Sequence, residues 1–333
     1  MSSGYTVIMI RVLALTVLLF SISFTSAHAQ FTSADPLTVS ISPEYPTPYE
    51  TITVTPSSTL IDLASATIKV SVNGKLVSTF SGSEGIPVTV GAPGVKTTVT
   101  VTATTGGKTY KKTLVIATGD VALVVEPLST GHPLYRGALL LAPQGRVRVI
   151  AIADLRSSSG ARLNPSSLVY IWRLGNQVLE ADSGIGKSVL TAVAPQRYRD
   201  AQISVTVTSS DGAVVAKETT LLQPTDPIVR IYKTDPLLGT NFTHALTGTY
   251  ALAGSEESFR AVPYFFGAIP TLSWVVGGQG SGTSDEVTVR ASGSGSGRSS
   301  LSLSARLNET HQSVTNTLGL SFGNKNSTNI FGF

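Results

Sequence analysis

The segment Gly184-Ile-Gly-Lys-Ser188 contains the residue types of a phosphate-binding loop. Such a loop follows the pattern Gly-x4-Gly-Lys-Ser and needs a glycine at position 181, where this chain has Ala181. The segment also leads into a predicted strand, whereas a phosphate loop opens a helix whose N-terminal amides face the phosphate. We therefore reject a nucleotide-binding site here and treat the Gly-Lys-Ser sequence as a coincidence.

Serine and histidine, which often cooperate in hydrolysis, occur here without a catalytic spacing. The run 292–297 is a low-complexity Ser-Gly loop, and none of its serines has the spacing of a nucleophile elbow. Beyond the first 29 residues the histidines are His132, His244 and His311, which lie far apart in sequence and outside any metal-binding pattern. We predict that all three are surface histidines.

The acidic residues offer no ready pair for acid–base catalysis. Glu256–Glu257 and Asp285–Glu286 are adjacent, and neighbouring residues of a strand point to opposite faces of the sheet. The chain contains no cysteine, which excludes thiolate metal sites, thiol nucleophiles and disulfides. The sequence therefore predicts that the protein is not an enzyme, with no catalytic, cofactor-binding or metal site and no cofactor.

The composition indicates an all-β protein. Charged residues make up 13% of the 333 residues, about half of the ~25% that is usual for a soluble domain. Serine, threonine, valine and glycine take their place, and these residues favour strands and turns. The net charge is +4, and the lysines and arginines are spread along the chain instead of clustering. We therefore expect no nucleic-acid partner.

The predicted strands recur at a fixed interval. Val70, Trp172 and Trp274 each lie in a predicted strand and are 102 residues apart, since 172 − 70 = 102 and 274 − 172 = 102. A fixed period marks a tandem array, and about seven short strands per unit are typical of an immunoglobulin-like β-sandwich. We predict three tandem immunoglobulin-like β-sandwich domains in an extended array, with Val70, Trp172 and Trp274 in their cores.

The predicted domains occupy residues 35–118, 119–225 and 226–322, and a flexible tail with a hydrophobic end follows at 323–333. Only a few residues separate the last strand of one unit from the first strand of the next. Pro224 and Pro227 stiffen the second of these connections, because proline fixes its own backbone angle φ. We therefore predict a rod with restricted hinges.

Residues 1–29 have the features of a secretory signal peptide. Arg11 precedes an apolar run, and Ala27-His28-Ala29 forms a small-x-small cleavage site before Gln30. The alternative is an uncleaved anchor, in which case this segment would be the protein's contact with the membrane. The sequence therefore predicts an exported protein that is secreted, periplasmic or held at the cell surface.

Two apolar inserts, at residues 131–143 and 239–252, interrupt the repeat. Each is interpreted either as an extra edge strand or flap over a domain joint, or as an exposed partner surface. The end of the tail is a further candidate, either as an unpacked terminus or as a docking or sorting tag. The residues of this possible partner surface are Leu139, Leu140, Leu141, Phe242, Tyr250, Ile330, Phe331 and Phe333.

The Trp-x-x-Gly-Asn/Gly turns at 172–176 and 274–278, with a weaker form at 70–74, resemble those of tandem immunoglobulin-like or PKD-like domains of bacterial surface proteins. The resemblance covers about residues 35–322. It implies an exported adhesive, spacer or filament-associated role without catalysis.

Three functions follow as hypotheses. The first is a non-catalytic cell-surface or secreted rod that acts in adhesion or as a spacer, with a protein or a surface glycan as its partner. The second is a structural subunit that polymerises through its C-terminal tail or its strand edges. The third is a carbohydrate-binding accessory module, for which Tyr264-Phe265-Phe266 is the candidate aromatic cluster, although its position at a strand end favours core packing.

Overall fold

The computed structural model describes residues 35–291 and 296–323. The predicted signal peptide and the end of the tail therefore lie outside the described residues. This applies to the cleavage residues Ala27, Ala29 and Gln30 and to the tail residues Ile330, Phe331 and Phe333.

The first unit is a sandwich of two antiparallel sheets. Its strands are β1 (Thr38–Ser42), β2 (Thr51–Ser57), β3 (Thr67–Val72), β4 (Lys75–Phe80), β5 (Ile86–Thr89), β6 (Lys96–Thr105) and β7 (Lys108–Ala117). The sheets have the strand orders β1-β2-β5 and β4-β3-β6-β7. Alternation along β2 buries Ile52 and Val54 between the sheets and turns Thr51 and Thr53 outward.

The second unit repeats this plan. Its strands are β8 (Asp120–Pro127), β9 (Arg146–Asp154), β10 (Val169–Leu174), β11 (Gln177–Val178), β12 (Gly184–Ile185), β13 (Val189–Val193), β14 (Ala201–Thr208) and β15 (Val215–Leu222). One sheet has the order β8-β9-β13, and the other has the order β11-β10-β14-β15 with β12 also paired to β10. The rejected phosphate loop thus begins with the two-residue strand β12, which pairs with Val169 and Tyr170.

The third unit adds two short strands to the same plan. Its strands are β16 (Ile228–Asp235), β17 (Gly239–Thr240), β18 (Thr249–Ala251), β19 (Glu256–Tyr264), β20 (Thr271–Val276), β21 (Gln279–Gly282), β22 (Glu286–Arg290), β23 (Gly297–Leu307) and β24 (Gln312–Phe322). Its sheets have the orders β17-β16-β19-β22 and β18-β24-β23-β20-β21. The added strands β17 and β18 both come from the insert 239–252.

Each pair of sheets encloses a separate hydrophobic core. The three cores are drawn from residues 37–116, 117–222 and 229–320, one after the other along the chain. In the described residues the regular structure is strands and three short 3-10 turns, at Pro165–Ser167, Glu180–Asp182 and Asn308–Thr310. The predicted fold class, all-β with tandem immunoglobulin-like sandwiches, is confirmed.

The period of 102 residues is visible in the strands themselves. Strands β3, β10 and β20 begin at residues 67, 169 and 271, and each is six residues long. Val70, Trp172 and Trp274 are the fourth residue of their strands and are 0%, 0% and 1% exposed. The repeat therefore reproduces one buried position in the same strand of each sandwich.

The two tryptophans also form hydrogen bonds between the sheets of their sandwiches. The indole Nε1 of Trp172 donates to the carbonyl of Lys187 at 2.9 Å, and that of Trp274 donates to the carbonyl of Ser284 at 2.9 Å. Both acceptors lie two residues before the next strand of the opposite sheet, β13 or β22. Val70 has no donor for this bond, and in the first unit the six-residue strand β4 pairs along β3 instead.

Candidate functional site

The histidines lie apart from one another in the part of the chain that the structure describes. Within residues 35–291 and 296–323, no three His, Cys, Asp or Glu side chains come together as a metal site requires. His132 packs against Phe242 with ring centroids 4.4 Å apart, while His244 contacts Thr243 and His311 ends the 3-10 turn of the third unit. Each histidine therefore has a separate local role.

The acidic pair on β19 divides between the two faces of its sheet. Glu256 is exposed and forms an ion pair with Arg290. Glu257 is 8% exposed and accepts hydrogen bonds from the Tyr250 hydroxyl at 2.7 Å and from the Ala253 amide at 2.5 Å. Glu257 thus ties the end of the insert 239–252 to β19.

The insert 131–143 of the second unit lies against the third unit. Two backbone hydrogen bonds cross the joint just before it, because the Thr130 amide donates to Phe266 and the Thr130 carbonyl accepts from Phe265, both at 2.7 Å. The Tyr135 ring then makes edge contacts with Tyr264 and Phe265, at centroid distances of 5.6 and 5.5 Å. The insert is therefore a flap over the joint, as one of the two interpretations of the sequence predicted.

The Tyr264 and Phe265 rings belong to a buried cluster, the joint cluster, together with Tyr232 and Val262. Leu139 and Phe242 pack against it. The hydroxyls of Tyr232 and Tyr264 are 3.2 Å apart and share a hydrogen bond. Burial, followed by this hydrogen bond, raises the pKa of the Tyr264 phenol. The Tyr264 phenol therefore stays protonated and uncharged at neutral pH, as a low-polarity joint requires.

A second set of contacts closes the joint where the insert ends. The side-chain Nε2 of Gln312, at the start of β24, donates to the Pro143 carbonyl at 2.6 Å, and its Oε1 accepts from the Gly267 amide at 3.0 Å. The Thr225 amide, in the link between the units, donates to the Leu141 carbonyl at 2.7 Å. The flap is thus held near the ends of β19 and β24, which belong to different sheets of the third unit.

The insert 239–252 forms an extra edge strand, which is one of the structures that the sequence predicted for it. Strand β18 pairs in parallel with the end of β24, residue 249 with 319 and residue 251 with 321. Tyr250 points inward and contacts Phe259 edge-on at 5.6 Å. The insert therefore covers one edge of the larger sheet of the third unit.

Four of the five candidate partner-surface residues in these inserts pack against the protein's own cores or joint. Leu141 is 6% exposed and part of the second core, while Leu139 and Phe242 pack on the joint cluster and Tyr250 packs on the third core. Leu140 is 39% exposed. The apolar residues are explained by the joint and the sheet edge, which need apolar cover.

The aromatic cluster considered for carbohydrate binding is buried. Tyr264, Phe265 and Phe266 are 8%, 5% and 0% exposed, so no sugar ring can stack on them. Their place at the end of β19, beside the joint, is what buries them.

The first joint is closed by backbone contact. Thr118 forms a parallel bridge with Val215, and the Gly94 amide donates to the Thr118 carbonyl at 2.8 Å. Gly94 has a φ of +77°, and a Cβ there would lie 2.3 Å from the Arg156 carbonyl oxygen. Glycine is therefore required both by the backbone conformation and by the close approach of the second unit.

Sequence reasoning did not single out Tyr135, Tyr232 or Gln312. Tyr135 could have been found, because it lies in an apolar insert that must be covered. Gln312 gives no signal, since a polar residue at the start of a strand normally faces water. Among the described residues, no helix has the length and apolar character needed to cross a membrane.

No family model matches this sequence, and no curated protein matches it either. Among solved structures, the chain is similar to the three N-terminal domains of the Highly Immunogenic Outer Capsid protein (Hoc) of bacteriophage RB49. The identity is 13%, the match covers 87% of this chain and 99% of that chain, and the TM-score is 0.24. It is also similar to the central fibronectin-III array of RIM-binding protein, with 10% identity, coverage of 84% and 95%, and a TM-score of 0.26.

Proposed function

We propose that this protein is an exported, non-catalytic array of immunoglobulin-like domains that acts as a spacer and adhesion protein at the cell surface or after secretion. The signal-like segment 1–29 supports export. The resemblance to bacterial surface proteins with tandem immunoglobulin-like or PKD-like domains supports the spacer role. The absence of catalytic spacing in the sequence supports a function that depends on binding and shape.

The observation that carries the proposal is the joint between the second and third units. A flexible tether needs no contact between its domains, whereas a spacer has to hold them at a fixed angle. Here the flap contributes main-chain hydrogen bonds at Thr130, aromatic contacts at Tyr135 and the buried bond between Pro143 and Gln312. Because the flap contacts both sheets of the third unit, it opposes bending of the joint in more than one direction.

Small-angle X-ray scattering tests the rod. The 11 residues of β24 span about 37 Å, so three units placed end to end measure about 110 Å and give a radius of gyration of about 32 Å. A compact protein of this size has a radius of gyration of about 19 Å. A measured value near the compact one refutes the spacer.

Export is tested separately by producing the full chain in a bacterial host and sequencing the N-terminus of the exported protein. We expect Gln30 as the first residue and loss of export when residues 1–29 are removed. Retention of the full-length chain in the membrane would favour the uncleaved anchor instead.

The same scattering experiment addresses the polymerising subunit. If the chain assembles through its tail, the radius of gyration rises with concentration and the rise disappears on deletion of residues 324–333. A spacer gives a radius that is independent of concentration with or without the tail.

A further inference from the structure

The larger sheet of the second unit carries two rows of mostly polar side chains on its outer face. The strand register places Arg173, Ser204 and Thr219 side by side in one row. The next row holds Ile171, Thr206 and Lys217. Each row spans three strands, so the two cations stand at opposite sides of the face, with their Cα atoms about 12 Å apart.

A loop of the first unit turns this face into a groove. Tyr45, which follows β1, lies against the sheet, and the Lys217 ammonium sits 5.0 Å from the centre of its ring. The turn after β10 closes another side with Asn176. The result is an open groove of about 400 Å³ between two domains, which also meet closely at Gly94.

The cations of the groove have no carboxylate of their own. Among the described residues neither Arg173 nor Lys217 forms an ion pair, whereas Arg148, on the opposite sheet of the same unit, is paired with Glu126 at 2.8 Å. Glu44 lies beside Tyr45 at the rim, and Glu218 accepts a hydrogen bond from the Thr219 amide, but neither carboxylate lines the groove. The groove therefore has a positive balance and spare donors for an anion.

The rest of the lining is neutral and rich in hydrogen-bonding groups. Asn176 and Gln202 supply amides, each with both a donor and an acceptor. Ser204, Thr206 and Thr219 supply hydroxyls that can donate or accept. Such alternating groups match the hydroxyls of a sugar, which also donate and accept.

We propose that this groove binds an acidic saccharide, that is, an oligosaccharide bearing carboxylates. A carboxylate would be held by the Arg173 guanidinium, whose planar fork suits two oxygens. Lys217 would hold a second carboxylate, and the amides and hydroxyls between them would bind the sugar hydroxyls. The proposal names a ligand class for the adhesive role above, but the binding itself does not depend on export or on the rod shape.

Two other classes of ligand fit less well. A nucleic acid needs a stripe of lysines and arginines along its backbone, and this face has two cations among five neutral polar side chains. An acidic peptide or a free inorganic anion would use the cations but leave most of the amides and hydroxyls without partners, which is unfavourable once they are desolvated. Both classes are discriminated by the experiment.

The test is isothermal titration calorimetry of the purified mature protein with trigalacturonate. Maltotriose serves as the uncharged trisaccharide, tetraglutamate as the acidic peptide and sodium sulfate as the free anion. We expect binding of trigalacturonate that weakens with added salt, and at least about tenfold weaker binding of the other three. Absence of trigalacturonate binding, or equal binding of tetraglutamate or sulfate, overturns the proposal.

Variants locate the site. Arg173→Gln and Lys217→Gln each remove one cation from an outward-facing position, and each should weaken trigalacturonate binding by about tenfold. Arg146→Gln is the matched control, because Arg146 is an exposed arginine on the opposite sheet of the same unit. Unchanged thermal unfolding verifies the fold of each variant. Equal affinities in all three variants would refute this location.

If the scattering data show a flexible chain while trigalacturonate still binds, the spacer function is refuted and the saccharide-binding site is supported. If the data show a rod and trigalacturonate does not bind, the spacer function is supported and the binding site is refuted. The two proposals are therefore judged by separate measurements.

Discussion

The substitution Gln312→Ala tests the joint between the second and third units most directly. Gln312 is 4% exposed and makes two hydrogen bonds, one to the Pro143 carbonyl across the joint and one from the Gly267 amide. The alanine variant leaves both backbone groups without this partner, the Pro143 carbonyl in a buried place and the Gly267 amide in a half-buried one. A buried group left unpaired costs about 1–3 kcal/mol, so the Pro143 carbonyl alone destabilises the joint by about 1 kcal/mol at the least.

This loss of stability can be followed by thermal unfolding, because each of the two units contains one tryptophan. Trp172 reports on the second unit and Trp274 on the third, and both are buried. In a domain of about 100 residues, 1 kcal/mol shifts the Tm by about 4–8 °C. We therefore expect the Tm of the third unit, followed by Trp274 fluorescence in a Trp172→Phe background, to fall by about 4 °C or more.

The matched control is Gln196→Ala. Gln196 is an exposed glutamine at the same joint, and surface substitutions usually change stability by less than about 0.5 kcal/mol. If Gln312→Ala lowers the Tm no more than Gln196→Ala does, the side chain does not lock the joint and the reasoning is refuted.

Three further predictions concern the core, the sheet edge and the first joint. In the otherwise unaltered chain, Trp172→Phe removes the hydrogen bond to the Lys187 carbonyl and should destabilise the second unit by about 1–3 kcal/mol in urea unfolding; an unchanged midpoint would show that the bond contributes nothing. Burial opposes the ionisation of Glu257, but hydrogen bonds from Tyr250 and Ala253 and the charge of Lys233 outweigh it and lower its pKa. A carboxyl with a lowered pKa stabilises the fold above its unfolded pKa, near 4.3, and this stabilisation is lost as the pH falls through the folded value. The third unit should therefore lose stability below about pH 4 more steeply in the wild type than in Glu257→Gln, and parallel curves would contradict this. Gly94→Ala should lower the Tm of the first two units more than Gly74→Ala does, because both glycines have positive φ but only Gly94 meets another backbone, and equal shifts would show that the contact is unimportant.

The repeat could be predicted because it is a local signal. A tryptophan or valine at the fourth position of a six-residue strand, followed by a glycine turn, needs no knowledge of distant residues. The burial of Val70, Trp172 and Trp274 follows from strand alternation in a two-sheet sandwich. The fold class and the buried position in each unit therefore follow from local patterns in the chain.

The surfaces could not be predicted in the same way. Leu140 and Leu141 are adjacent leucines of one insert, and only the path of the loop makes one 39% and the other 6% exposed. Tyr45 and Lys217 are separated by 217 − 45 = 172 residues, and no pattern connects a loop of one domain to a strand of the next. Such contacts depend on the angle between domains, which local propensity does not encode.

The flap has a mechanical consequence. When a chain of domains is pulled from its ends, the load normally passes from one domain to the next through the covalent link alone. Here the flap provides a second path parallel to that link, running through Thr130 and Pro143 into the third unit. Tension applied to one end of the protein would then be distributed over both connections. The joint would therefore resist twisting and bending as well as stretching.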